Sequence, residues 1–344
     1  MPGKYRFSFG PWNIHEGGDP FGPTVRNSVE FGKKLKMYKE LGFDGVQFHD
    51  DDAVPDMDNL SFVAIANKAK EVRSMLDSEG LVAEFVAPRL WENENTIDGA
   101  YTSNDPACRQ YAKDRNRRTI DIANALDTKL VVLWLAREGT YIREAKDSKV
   151  AVDRIVEAIN DMLAYNPEIE IAIEPKPNEP MDQAYIPTTG HAVAVSFLTE
   201  DPDRVGVNIE SAHAILAGLD PSDEMGFALA YDKLFTVHLN DQNGLKFDED
   251  KTFGSVDLRR AFNQVRILDE YDYGTSGEFV GLDVKAMRTQ KADVATKHLR
   301  NSREIFLALV KLVQKLDKVK IDKLIAERDY EELDMLIINH LMGI

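Results

Sequence analysis

The sequence predicts an α/β chain closed into a (β/α)8 barrel, a TIM barrel, with a C-terminal helical tail. Three observations lead there. Eight short apolar or alternating runs recur at Tyr5–Phe9, Asp44–Phe48, Val82–Ala87, Leu130–Trp134, Ile169–Glu174, Val205–Ile209, Leu234–Leu239 and Glu278–Leu282, each of a length that suits a strand rather than a helix. Segments with helical periodicity lie between them, among them Val29–Leu41, Val63–Leu76, Arg109–Leu126, Val150–Leu163 and Val193–Leu198, and such alternation builds a parallel sheet covered by helices. An open doubly wound sheet is the main competitor. It binds ligands at a switch point, however, and no Gly-rich phosphate loop follows the first run.

The last barrel helix is expected at Ala295–Lys315, where Leu299, Ile305, Phe306, Leu309 and Leu312 mark an apolar face. A barrel domain over 1–315 and a charged helical tail over 316–344 therefore divide the chain. With 344 residues, 43% of them hydrophobic, one barrel buries an ample core. A formal charge of -17 excludes phosphate-backbone binding as a leading function, because nonspecific nucleic-acid affinity comes from clustered Lys and Arg. Cys108 is the single cysteine, so no intrachain disulfide forms. Neither a signal-like apolar core near Met1–Gly10 nor a run of about 18 apolar residues is present, and a cytoplasmic location is expected. A charged amphipathic tail can serve a membrane, a partner or a sister subunit, and its mixture of Lys, Asp and Glu argues against a membrane.

Side chains at the carboxyl ends of barrel strands share one mouth. Trp12 follows the first run; His49, Asp50, Asp51 and Asp52 follow the second; Trp91 follows the third; Trp134 ends the fourth. The next four runs end near Glu174, near Glu210 with His213, near His238 with Asp248 and Asp250, and at Asp283. Converging oxygen and imidazole ligands are what divalent cations need, so the chain reads as a metal-dependent enzyme. Three prolines in Glu174-Pro175-Lys176-Pro177-Asn178-Glu179-Pro180 stiffen the segment that carries Glu174 and Lys176. Plain alternatives stand beside each reading. An Asp-rich run after a strand is often a solvated loop, a lone His often packs within a helix, and a tryptophan is more often core than substrate wall. His15, His191, His298 and His340 are read as structural or exposed.

Six ordered blocks give the sequence a family likeness: Phe48-His49-Asp50-Asp51-Asp52, Tyr101-Thr102-Ser103-Asn104-Asp105, Leu133-Trp134 with Arg137-Glu138-Gly139, the Glu174 to Pro180 run, Pro187-Thr188-Thr189-Gly190-His191, and Lys246-Phe247-Asp248-Glu249-Asp250. Over nearly its whole length the chain resembles a xylose isomerase of the shorter, actinobacterial type, a family of aldose–ketose isomerases. The resemblance implies two divalent metal ions per subunit sharing Glu210. One would be held by Glu174, Glu210, His238 and Asp283, the other by Glu210, His213, Asp248 and Asp250. It also implies ring opening of a cyclic aldose assisted by His49, held by Asp52, then a hydride shift between C2 and C1 with Lys176 stabilising charge on the carbonyl oxygen. Trp12, Trp91 and Trp134 would wall the sugar, Phe21 would enter a neighbouring subunit's site, Lys285 would balance carboxylate charge and Asn178 would orient the Lys176 segment. A homotetramer is implied, with a dimer as the alternative because the tail is shortened.

His238 is the departure. The family places an aspartate there, and imidazole removes a negative charge and adds a softer donor, so manganese or cobalt is expected to serve better than magnesium. A histidine at that strand end also resembles the rhamnose isomerases and ketose 3-epimerases. The expected reaction is D-xylose to D-xylulose. Isomerisation of another, rhamnose-like sugar, ketose 3-epimerisation and a noncatalytic sugar-binding role are the alternatives.

Overall fold

A computed structural model describes residues 4–245 and 247–344; Lys246, which opens the Lys246–Asp250 block, lies outside the described residues. Eight parallel strands form a closed barrel: β1 Arg6–Phe9, β2 Gly45–His49, β3 Val82–Ala87, β4 Leu130–Trp134, β5 Glu170–Glu174, β6 Val205–Glu210, β7 Leu234–Leu239 and β8 Phe279–Leu282. Each pairs with its neighbour in sequence, and β8 closes on β1. No strand end departs from the sequence expectation by more than one residue. The strands are legible because they are short, buried on both faces and rich in Val, Ile and Phe.

Helix ends follow local chemistry. Ser61 caps Phe62–Glu79 and Gly80 closes it at φ 63°, Asp105 and Pro106 start Pro106–Leu126, and Asp147 caps Ser148–Tyr165. Two outer helices, Pro221–Ala230 and Leu258–Glu270, each open on a capping aspartate, Asp220 and Asp257. The Arg137-Glu138-Gly139 and Tyr101–Asp105 blocks have one physical reason. The buried Glu138 carboxylate accepts the backbone N–H groups of Ala100, Tyr101 and Thr102, each at 2.9 Å, and thereby shapes the loop after β3.

The tail is two helices, Lys318–Glu327 and Tyr330–Met342, separated where Arg328 turns to φ 56°. They return to the barrel. Arg259 pairs with Asp334, His340 Nε2 donates to the Leu312 carbonyl at 2.8 Å, and Ile337 and Leu341 pack on the core.

Between strands and helices the core is continuous, with Phe7, Phe9, Phe43, Phe48, Phe262 and Phe306 fully buried. Gly281 on β8 is a steric necessity. A Cβ there would stand 2.5 Å from the Val237 carbonyl oxygen and 2.6 Å from Gln47 Nε2, which lets β8 approach β7 closely beneath the mouth. Phe306, on the last barrel helix Lys297–Val313, meets Tyr5 and Phe7 edge-on at 4.9 and 5.5 Å and so fastens barrel closure from outside. Phe306→Ala is expected to lower unfolding free energy by about 3–5 kcal/mol, measured by chemical denaturation. A loss below about 1 kcal/mol would show that this contact does not secure the closure.

Candidate metal centre

Strand register assembles the centre. Trp134 lies beside Glu174 across β4 and β5, and Glu210 beside His238 across β6 and β7. His213 stands in the first turn of Ser211–Leu216, directly after β6; Asp248 and Asp250 lie in the loop after β7, and Asp283 follows β8. Three groupings offer ligand atoms all within 4.8 Å of one another: Glu174, Glu210 and His213; Glu210, His238 and Asp283; Glu210, Asp248 and Asp250. Glu210 belongs to all three. Six of the seven residues named from the sequence therefore surround the seventh, Glu210.

Amides and lysines hold these groups in place. Asn240 Nδ2 donates to Glu210 Oε1 at 2.8 Å and to the Asp283 carbonyl at 2.9 Å, while Asn208 donates to Glu174. Trp12 Nε1 and Asn13 Nδ2 both donate to Asp283 Oδ1, at 2.9 and 2.7 Å. Lys176 Nζ lies 2.9 Å from Asp248 Oδ2 and 3.2 Å from Glu179 Oε2, and Lys285 Nζ lies 2.7 Å from Asp250 Oδ2.

Electrostatics sort the carboxylates. Burial, then the charges of Asp248, Glu174, Asp283 and Asp250, push Glu210 well above the usual carboxylate range. Burial and Asp248 do the same to Asp250. Asp248 goes the other way: burial opposes ionisation, but Lys176 and His213 outweigh it and hold the group well below that range. Burial likewise depresses His238, yet the adjacent Glu174 overrides it and raises the imidazole.

Divalent cations fit this donor set. His238 Nδ1 is 3.2 Å from Glu174 Oε2, but neither His238 ring nitrogen makes an aligned hydrogen bond among the described residues; nor do His213 Nδ1 and Asp248 Oδ1. Buried polar atoms seldom go unpaired without a reason. Carboxylate oxygens and two imidazoles around a shared Glu210 form a donor set of mixed hardness that suits a divalent cation.

The remaining wall is aromatic. A cavity of about 280 Å³ is lined by the metal-centre groups and by Trp12, His49, Trp91 and Trp134. His49 packs on Trp12 and Trp91, with ring centres 4.1 and 5.1 Å apart, and its Nδ1 lies 3.0 Å from Asp52 Oδ2. Lys176 sits over the Trp134 ring at 5.1 Å, joining the two halves.

Three further residues take the following places. Asn178 is exposed and outside the cavity, and the Lys176 segment is instead tied by Glu179, which also accepts the Asp248 N–H at 3.0 Å. Phe21 is 84% exposed and leaves this subunit's cavity to other residues. His15, read as structural or exposed, lines the cavity. Arg89, Phe85, Asn208 and Asn240 carry no site role in the sequence reading. A single charge, amide or ring in a strand or loop carries no spacing signal, so only the folded register reveals them. Asp241, just past β7, accepts the Val256 and Asp257 N–H groups at 2.7 and 3.0 Å and is in none of the three ligand groupings.

A family model described as the xylose isomerase-like TIM barrel matches residues 35–299. The chain belongs to this family. Among solved structures, this xylose isomerase-like barrel is similar to a D-psicose 3-epimerase from Clostridium cellulolyticum H10 crystallised with D-tagatose, at 15% identity over 90% of this chain and 100% of that one, TM-score 0.63. It is similar to a 3-keto-D-glucoside 4-epimerase from E. coli, at 14% identity over 88% and 99%, TM-score 0.61. A xylose isomerase domain protein from Alicyclobacillus acidocaldarius subsp. acidocaldarius matches at 14% identity over 90% and 99%, TM-score 0.61. At these identities the likeness establishes the shared barrel. No described helix is long and apolar enough to cross a membrane.

Behind Asp283 the support reaches a buried histidine: Asn13, which donates to Asp283, accepts at its carbonyl from His298 Nε2 at 2.9 Å. Burial pushes His298 from 6.5 to about 4, against the opposing effect of the Asn13 hydrogen bond. Because the folded value lies below the unfolded one, the unfolded chain binds the extra proton. Stability from this group is complete above pH 6.5 and is lost as pH falls towards about 4, by roughly 3 kcal/mol. His298→Gln is expected to flatten that part of the acid dependence of unfolding free energy. An unchanged slope over this window would refute it.

Proposed function

We propose that this xylose isomerase-like barrel is a two-metal aldose–ketose isomerase acting on a free sugar, with D-xylose to D-xylulose as the leading pair. The observation that carries the reading is the convergence of three ligand groupings on Glu210, with Lys176 beside them, in a cavity walled by three tryptophans. Glu174, Glu210, His238 and Asp283 would hold one cation, and Glu210, His213, Asp248 and Asp250 the other. Bound there, the ions supply Lewis-acid polarisation and neutralise the crowded carboxylates. His238 in place of a carboxylate favours manganese or cobalt over magnesium.

The chain's own groups do the rest. His49 assists ring opening at the cavity wall. Trp12, Trp91 and Trp134 exclude water and offer flat apolar faces to sugar C–H groups. In the open sugar the C2 hydrogen moves with its electron pair to C1; C2 becomes the carbonyl carbon as its hydroxyl proton leaves, and the C1 oxygen gains a proton. Lys176, fixed by Asp248 and Glu179, stabilises negative charge on the carbonyl oxygen, an effect on the order of 3 kcal/mol for one donor. The protruding Phe21 fits a role in a neighbouring subunit's site, in a tetramer or a dimer of barrels.

Ketose 3-epimerisation is the second reading. His238 and the epimerases among the solved structures favour it, and it needs two opposed carboxylates free to remove and return a proton. Against it, Asp283 Oδ1 is engaged by Trp12 and Asn13, and Glu174 by Asn208. Solvent deuterium separates the two. Metal-stripped protein reloaded with manganese, cobalt or magnesium is given a panel of aldoses and ketoses in D2O. The expected result is aldose–ketose conversion, highest with manganese or cobalt, whose product keeps its substrate hydrogen. Deuterium at the reacting carbon would replace this reading with proton transfer, and magnesium giving the fastest turnover would remove the metal assignment.

A further inference from the structure

Arg89, in the loop after β3, reaches into the cavity wall and touches His49. Its Nη2 lies 2.7 Å from His49 Nδ1, while Asp52 Oδ2 lies 3.0 Å from the same nitrogen. The two contacts make opposite demands. A guanidinium has only donors and keeps its protons, so Arg89 needs a bare lone pair on Nδ1. A carboxylate needs a proton there.

We propose that Arg89 is a positioning residue that decides the conflict, holding His49 in the tautomer with Nδ1 bare and the proton on Nε2. The guanidinium contact is the shorter of the two. Asp52 does not depend on the imidazole proton, since its Oδ2 accepts the His49 backbone N–H at 3.2 Å and its Oδ1 accepts from Arg89 Nη2 at 3.4 Å. Arg89 is anchored independently: Nε donates to Asp51 Oδ1 at 2.8 Å, and its backbone N–H donates to Asp50 Oδ1 at 3.2 Å. Asp50 is itself locked by Arg115, whose Nε and Nη2 donate to its two oxygens at 2.8 and 2.7 Å. Packed between Trp12 and Trp91, the ring is not free to exchange its nitrogens. Nε2 has no hydrogen-bond partner among the described residues.

The consequence concerns the sign of the hydrogen bond at the sugar. Governed by Asp52, His49 would present a bare Nε2 and accept from a hydroxyl. Governed by Arg89, it presents an N–H and donates to a sugar oxygen, as a group assisting ring opening by protonation must. This consequence rests on the sugar-isomerase reading; the tautomer itself does not.

Long-range proton–nitrogen NMR on histidine-labelled protein, at a pH above the ordinary histidine range, reads the tautomer directly. His49 is identified by the signal lost in His49→Gln. The expected result is a protonated Nε2 and a bare Nδ1 in the unaltered chain, with the proton moving to Nδ1 in Arg89→Gln. A protonated Nδ1 in the unaltered chain, or an Arg89→Gln spectrum identical to it, would overturn the proposal. If Arg89→Gln fails to fold, the unaltered chain still decides, and Asp52→Ala must leave the proton on Nε2. The spectrum is taken without sugar. A chain that shows this tautomer but converts no sugar would sink the reaction reading and leave the tautomer lock standing.

Discussion

The mutual repulsion of carboxylates around Glu210 is the constraint to which the rest of the mouth responds. Five carboxyl groups, Glu174, Glu210, Asp248, Asp250 and Asp283, face one cavity that also holds Lys176 and Lys285. Two ammonium groups do not balance five negative charges in a place largely shielded from water, where charge interactions weaken least. The displaced acidities of Glu210 and Asp250 express that imbalance. His238 and His213 add buried ring nitrogens that have no hydrogen-bond partner among the described residues.

Such a concentration of like charge requires a frame that does not yield. Strand ends in a closed barrel are fixed on both sides by neighbouring strands, and the register sets Glu210 against His238 without any flexible segment between them. Asn208, Asn240, Asn13 and Trp12 then orient individual oxygens. Across the cavity the design reverses. Trp91, Trp134 and Trp12 supply apolar faces, and the polar group among them, His49, contacts Arg89 in the cavity wall, which is tied back to Asp50 and Arg115. One half of the mouth is lined by carboxylates and imidazoles and the other by aromatic rings, and Lys176 over Trp134 spans the boundary.

Much of this was legible in the sequence. The strands are legible because burial on both faces leaves short apolar runs, and Glu174, Glu210, His213, His238 and Asp283 because each stands at a strand end or within a few residues of one; Asp248 and Asp250, farther along the loop after β7, come mostly from the resemblance. Glu210 and His213 stand out by their place at the end of the sixth strand run, and His238 by its place in the seventh. Arg89 did not, because nothing in Pro88-Arg89-Leu90 says that its side chain turns towards a histidine forty residues earlier in the chain. Asn208 and Asn240 read as ordinary amides until the register shows which carboxylates they hold. The helices Pro221–Ala230 and Leu258–Glu270 carry caps at Asp220 and Asp257 that the sequence reading left unnamed, and the split of the tail depends on a left-handed Arg328, a residue type that gives no such signal. Asn178 was placed by resemblance alone, and the neighbouring Glu179 makes the contacts instead.

The account rests on Glu210 serving two cations at once. Anomalous diffraction from crystals soaked in manganese tests that most directly. Two peaks flanking the Glu210 carboxylate, one toward His238 and Asp283 and the other toward His213, Asp248 and Asp250, are the predicted result. No density at Glu210, or manganese held only by residues outside this group, would contradict it.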